Sequence, residues 1–433
     1  YAGTNTAAST SGTYMLMHLF NTKLNNFNNF VNDFNLSKKW DGVKVNAGLY
    51  KGIQNVSMSW LWNSYLQEVS DNNARMIDVK NALGQSLSPN GLLAYGVPAW
   101  GNCCTRNYDT QYDVTAPYAQ IEINAIEKLS LDFGARYDIG NVTGSFAGGN
   151  GQTAAIDMNG NGNIDPNEQK VATVGNNITP VDYDYNIFGY SVGANYSINE
   201  KNAVFARISK GGSASADRIL FSGYNYTNTD DPALDAVKVN EVKQLEGGYK
   251  LRGAGFYLNT TLFYANTLEA NYEATTQRKT ENDYQSVGVE LDGYYRLNKT
   301  FEVRGGLTYT NAEIKDAIDK TIVGNTPRRT PKLMYNLNPN VNLGKVSTGF
   351  FLIGASKAYA QDNNSLVMPS YIVVNPYLSY QFTKNLGASI NGNNIFDAIG
   401  VTEAEEGSIP TNGIVRGRPL PGRSLSMSLK FDF

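Results

Sequence analysis

Three observations predict an all-β protein, an antiparallel transmembrane β-barrel. First, apolar and polar side chains alternate with a period of two along most of the 433 residues, as on a strand with one greasy and one polar face. At the chain's end Leu425, Met427, Leu429, Phe431 and Phe433 are separated by Ser426, Ser428, Lys430 and Asp432. Second, about fifteen such segments are joined by connections that are short and long in turn. That is the pattern of a barrel with tight turns at one membrane surface and large loops at the other. Third, the sequence has no run of about 18 apolar residues, so no transmembrane helix is expected. Strand alternation hides a lipid-facing surface from the ordinary mean hydropathy of -0.36.

Residues 30–40 form the first predicted strand, and Asp41-Gly42 turns it into a second at 43–51. Ser57 as N-cap, followed by Met58, Leu61, Trp62, Tyr65, Leu66 and Val69 at three-to-four spacing, predicts one short amphipathic helix. It is placed in a long extracellular loop over 53–113. Regular strands start near Thr115: Ala119, Ile121 and Ile123 alternate with Gln120, Glu122 and Asn124, and 129–137 runs back. A Gly/Asn-rich extracellular loop covers 140–182. Strands follow at 185–198 and 203–209, then a loop at 211–238. The remaining strands are 239–251, 255–270, 284–297, 300–314, 331–343, 346–359, 369–382, 385–394 and 422–433.

Glu122, Asp132, Arg136, Glu246, Lys250, Glu290, Asp292, Arg296, Glu302 and Arg304 stand opposite the apolar positions. They are expected to face the lumen, since a charge on the lipid face at mid-bilayer costs about 2–4 kcal/mol. Tyr137, Tyr196, Tyr249, Tyr295, Tyr309 and Tyr380, near strand ends, fit the aromatic girdles of a membrane protein. Single-chain bacterial barrels have an even number of strands, so a count of fifteen implies strands missing on the N-terminal side.

Composition narrows the function. A net charge of -3 gives no reason to expect nucleic acid as a partner. His18 is the only histidine, which argues against His-based catalysis. Cys103 and Cys104 are adjacent and fit no zinc spacing. They are expected to form a loop-stiffening vicinal disulfide in an oxidising compartment, or to pair with another chain. Gly211-Gly212 lacks the Lys-Ser/Thr of a phosphate loop, and the lumen carboxylates are too many to single out a glycosidase pair. No enzyme is indicated.

The C-terminal motifs resemble a known family. Asn393-Asn-Ile-Phe-Asp397 closes the penultimate strand, and Gly417-Arg-Pro-Leu-Pro-Gly-Arg423 leads into the last one. Both resemble the end of TonB-dependent outer-membrane receptors. Gly288-Val-Glu-Leu291 and the stretch 241–250 are similar to recurrent strands of that family. The resemblance implies a bacterial outer-membrane, multi-pass protein with a 22-stranded barrel, of which residues 1–433 are the C-terminal portion. The first seven strands, a plug and a TonB-contacting box are then expected outside this chain. The implied partners are the TonB–ExbB–ExbD complex, through that N-terminal part, the barrel-assembly machinery, through the C-terminal strand, and the lipid bilayer.

One motif carries sharper chemistry. Residues 157–168 match the twelve-residue calcium loop D-x-[DN]-x-[DN]-G-x5-E. Asp157, Asn159 and Asn161 supply side-chain oxygens at positions one, three and five, and Asn163 its carbonyl at seven. Asp165 stands at nine and Glu168 at twelve, with Gly162 making the turn. A structural Ca2+ stiffening an extracellular loop is expected. Trp60, Trp62, Trp100, Tyr108, Tyr224 and Tyr226 fall in long loops, where they either pack among themselves or stack on a sugar or siderophore ring. The function expected is energised uptake of a scarce solute: a siderophore, vitamin or oligosaccharide. A passive porin and a calcium-stiffened surface adhesin are the alternatives.

Overall fold

The computed structural model describes residues 14–69, 74–77, 83, 92–93, 105–165, 168–169, 171–215, 220, 224–227, 232–273, 278–404, 408–409, 415 and 417–432. One antiparallel sheet dominates. Its first half comprises β1 (Tyr14–Asn26), β2 (Asn29–Trp40), β3 (Val43–Glu68), β4 (Leu92–Leu93), β5 (Arg106–Ile126), β6 (Leu129–Ala154), β7 (Val171–Val174), β8 (Thr179–Asn199) and β9 (Asn202–Ala214). A four-residue helix, α1 (Pro232–Asp235), precedes the second half. That half contains β10 (Val239–Gly253), β11 (Phe256–Glu273), β12 (Arg278–Arg296), β13 (Phe301–Ala317), β14 (Leu333–Leu343) and β15 (Val346–Ala355). After the small hairpin β16 (Ala358–Tyr359) and β17 (Val367–Met368) come β18 (Tyr371–Gln381) and β19 (Leu386–Asn393). A second small pair, β20 (Val401–Ala404) and β21 (Gly417–Pro419), leads to β22 (Ser424–Phe431).

The sheet holds 18 strands. β1 and β2 pair with the upper and lower parts of β3, so they act as one interrupted strand. β4 and β7 are short additions. About fifteen wall strands remain, as the alternation predicts. Among the described residues β2 pairs only with β3, and β22 only with β19. Every residue of these two edge strands is exposed.

Cross-strand register carries one apolar face around the sheet. Leu245 stands opposite Tyr264, and Tyr264 opposite Val287. Leu262 is 62% exposed, and Val287, Leu245 and Phe188 are likewise exposed. A soluble surface does not tolerate so continuous an apolar belt, whereas lipid does. The six tyrosines expected in girdles all lie exposed on this face. Opposite them the polar face is cross-linked as expected. Arg207 meets Asp132 at 3.0 Å, Arg136 meets Asp138 at 2.7 Å, and the Tyr294 hydroxyl donates to Glu302 at 2.8 Å.

Above the belt the polarity reverses. On β8 the outward residues below Phe188 are apolar, but Asn186, Asp184 and Asp182 continue the outer face above it. Inward, Val181, Tyr183, Tyr185 and Ile187 are buried. The same change falls between Ile139 and Asn141 on β6, Pro117 and Thr115 on β5, and Leu49 and Lys51 on β3, all neighbours by register. On the inner side of this upper wall Leu220, Tyr226, Leu234 and Val237 join Tyr108, Val142 and Phe146 in one buried cluster.

Three expectations are corrected. The helix from Ser57 is absent: these residues extend β3, paired with β1 on one side and β5 on the other. Two ladders of backbone hydrogen bonds override the helical spacing of the apolar residues. Both ends of the loop assigned to 53–113 therefore belong to strands, to β3 as far as Glu68 and to β5 from Arg106. The loop at 140–182 likewise loses both ends to β6 and β8. Residues 30–40 are also not the first strand, since β1 precedes them.

The C-terminal motifs are bonded to each other. Asn394, 4% exposed and at φ +46°, donates through Nδ2 to the carbonyls of Ala398 (2.9 Å) and Pro421 (3.0 Å). Its Oδ1 accepts the Ala398 N–H at 2.8 Å, and Asp397 accepts the Arg423 N–H at 2.9 Å.

Candidate functional site

The upper wall makes a recess on the inner face. β3 sends Tyr50 and Gln54 inward, β5 sends Tyr112 and Val114, and β8 sends Tyr185. Each falls at an inward position of a strand whose alternation is fixed by the lipid belt below. The cavity they line holds about 590 Å³. Gly140 permits the wall to be this thin, because a Cβ there would lie 2.0 Å from the Tyr185 ring. The Arg136 guanidinium stands 4.8 Å from the Tyr50 ring centre while held in a fork by Asp138. The recess thus offers aromatic faces and hydroxyls beside a cation already paired, which suits a bulky oxygen-rich ligand. Sequence reading did not name these residues. Inward parity was available for Tyr50 and Tyr185, but strand length above the membrane was not.

The loop aromatics separate into different roles. Trp60 faces inward on β3 with the buried Arg106 guanidinium 3.9 Å from its ring centre and 5.3 Å from that of Tyr108. Tyr226 is 2% exposed and is part of the core. Tyr224 sits edge-on to it, with its hydroxyl donating to Glu281 at 3.0 Å and Lys279 4.0 Å above its ring. Trp60 and Tyr108 thus meet on a strand-borne cation, and Tyr224 and Tyr226 pack against strand residues and the core. The backbone of Trp62 is in β3, its side chain lies outside the described residues, and so do Trp100, Cys103 and Cys104.

In the loop at 157–168 the described residues, 157–165 and 168, are tied by side-chain-to-backbone hydrogen bonds. Gly160 and Gly162 take positive φ, +73° and +84°. Asp157 accepts the N–H groups of Gly160 (2.7 Å) and Gly162 (2.8 Å). Asn159 Oδ1 accepts from Asn161, and Asn161 Oδ1 from Asn163. Glu168 is fully buried and accepts from the backbone of Met158, Asn159 and Asp165. The amides of Asn159 and Asn161 both donate to Asp165 at 3.0 Å. The Gly162 N–H above all, with Gly160 and Asn161, holds the Asp157 carboxyl below its usual range. All candidate ligands are hard oxygens, which fits calcium. Among the described residues no three acidic, His or Cys side chains are gathered on one point.

Residues 1–395 match the family model described as TonB dependent receptor-like, beta-barrel. The rhizobactin receptor of Rhizobium meliloti (strain 1021) is 26% identical over 227 residues, 48% of this chain and 28% of that protein. The ferrichrome outer membrane transporter/phage receptor of Escherichia coli (strain K12) is 28% identical over 200 residues, 40% of this chain and 26% of its own length. Among solved structures, the ferric yersiniabactin uptake receptor of Yersinia pestis superposes with a TM-score of 0.59 at 14% identity. That match takes in 92% of this chain and 57% of the receptor, and it shows the fold. The chain therefore spans about a quarter of each of these two sequence relatives, and a little over half of the solved receptor. Family match, fold and lipid-facing belt agree: the chain belongs to the TonB-dependent receptor-like β-barrel family and lies in the bacterial outer membrane.

Proposed function

We propose that this chain is the wall of a receptor that takes up a ferric siderophore across the outer membrane with energy supplied through TonB. The observation that carries the reading is the tyrosine-lined recess on the inner face of the upper wall, in a family whose members include receptors for rhizobactin and ferrichrome. Family membership favours gated uptake over a passive porin or an adhesin, and no catalytic role is assigned. The two exposed edges, β2 and β22, would pair with the strands that complete the barrel, because an unpaired edge in lipid leaves backbone groups unsatisfied. Coupling to TonB–ExbB–ExbD and a plug would belong to the part that supplies those strands, and the barrel-assembly machinery would engage β22. The test is growth of an iron-starved strain lacking its own siderophore receptors. The full-length receptor should restore growth on at least one ferric siderophore, only when TonB is present. Growth independent of TonB would overturn the reading.

A second reading concerns the loop at 157–168: Ca2+ would draw Asp157, Asp165 and Glu168 together and stiffen the upper wall. The Asn21 amide donates to the Met158 carbonyl at 2.6 Å, which ties the loop to β1. Sensitised terbium luminescence should appear on the intact protein, be displaced by calcium, and fall at least about tenfold in Glu168→Gln, which replaces one oxygen of the bidentate ligand by an amide nitrogen. Unchanged luminescence in that variant would refute it.

A further inference from the structure

The inner wall has two chemically different halves. Strands β5 to β13 line it with Asp132, Arg136, Arg207, Glu290, Glu302 and Arg304, among others. In β14, β15, β18, β19 and β22 the sole charged residue is Lys430, at the turn end of the last strand. Register carries the inner face unbroken from one half to the other, from Glu290 to Thr308 and on to Met334. The change is therefore one of composition along a single surface.

On the uncharged half many inward positions are amides, with Asn336, Asn338 and Asn340 on β14, Asn375 on β18 and Asn391 on β19, among small, hydroxyl and apolar residues. Several are held by the wall: Asn338 donates to the Phe350 carbonyl at 2.9 Å, and Asn340 accepts the Tyr377 hydroxyl at 3.1 Å. Between them stands an apolar step of Met334, Phe351 and Ile353, 50%, 50% and 47% exposed. Several charges on the other half are held in place by partners, as in the pairs of Arg207 with Asp132 and Lys210 with Glu241.

We propose that the β14–β22 half is the passage face, along which a bulky oxygen-rich iron chelate slides after leaving its binding site. This rests on the uptake reading above. A moving solute needs contacts that are many and individually weak, since a strong site fills but does not empty. A fixed charge beside the path would trap a chelate of opposite sign and repel one of the same sign. Held amides offer hydrogen bonds without either effect, and the apolar step gives a surface with no directional grip.

The test places charge on the passage face of the full-length receptor in cells. Phe351→Lys and Phe351→Glu should each slow radiolabelled ferric-siderophore uptake about tenfold, while binding to energy-depleted cells stays within about twofold. Thr308→Lys, beside Glu290 on the charged half and level with Met334, should leave uptake within about twofold. Heat-modifiable migration verifies folding. Ser389→Asp, a smaller change on β19, carries the same expectation if the Phe351 variants fail to assemble. Normal uptake by these variants, or equal slowing by Thr308→Lys, would overturn the passage face alone. A leak of large antibiotics without slowed uptake would also overturn it, and would show that a folded domain seats on the apolar step. Absence of uptake by the unaltered receptor would remove the function and the passage face together.

Discussion

Asn394 shows how a short sequence motif earns its place physically. Its buried amide binds both Ala398 and the Pro421 carbonyl, so the turn after β19 grips the segment that starts β22 across an intervening 23-residue connection from Ala398 to Leu420. Asn394→Ala strands those groups and keeps the positive φ, and should cost about 1–3 kcal/mol. The urea midpoint of tryptophan fluorescence in micelles reports it. An unchanged midpoint would show that the grip contributes nothing. The motif was legible in the sequence, but its partner was not, because the two halves are adjacent only once the last strand is in register. Asp157 makes a second prediction at this scale. Its carboxyl titrates below the ordinary Asp range because the backbone N–H groups of Gly162 and Gly160 favour the charged form. Its contribution to loop order is therefore complete above that range and is lost as the pH falls through the depressed value. Hydrogen exchange at Gly160 and Gly162, corrected for intrinsic rates, should rise in that acidic window, and Asp157→Asn should abolish the response.

At the scale of elements, the strands were readable wherever lipid enforces a strict apolar face. They became unreadable above the belt, where the outer face turns polar and the inner face greasy. Ser57 to Glu68 combines small, aromatic and apolar residues with no outward apolar row, so a helical spacing fitted it equally well. The pairing that decides the matter comes from Tyr14 to Asn26 on one side and from Arg106 to Asp109 on the other, both remote in sequence. Single cysteines distinguish the two structures. Ser57→Cys and Ser59→Cys face outward on β3 and should react rapidly with an impermeant maleimide on whole cells, whereas Met58→Cys, packed against the inner cluster, should react about tenfold more slowly, an order of protection set by burial. A period near 3.6 in reactivity over 57–61 would restore the helix. The recess of Tyr50, Tyr112 and Tyr185 escaped sequence reading for the same reason, as it exists only because four strands outrun the membrane together.

For the whole molecule, the apolar belt decides where the protein can live. Leu291 lies midway between Val287 and Tyr295 on the outer face, so Leu291→Lys should cost about 2–4 kcal/mol, while Asp292→Lys, one residue on and facing inward, should cost far less. Folded yield in bilayers of matched thickness separates the two, and equal losses would deny the inside–outside assignment. The polarity reversal also acts as a waterline. No single residue marks it, yet neighbouring strands agree on it to within one side-chain step, about 5 Å of height for a tilted strand. An insertion of two residues in one strand below that line would not merely lengthen a turn. It would set one plank of the hull higher than the rest, and the barrel would have to list, or the bilayer thin beside it, to keep lysines and aspartates above the oil.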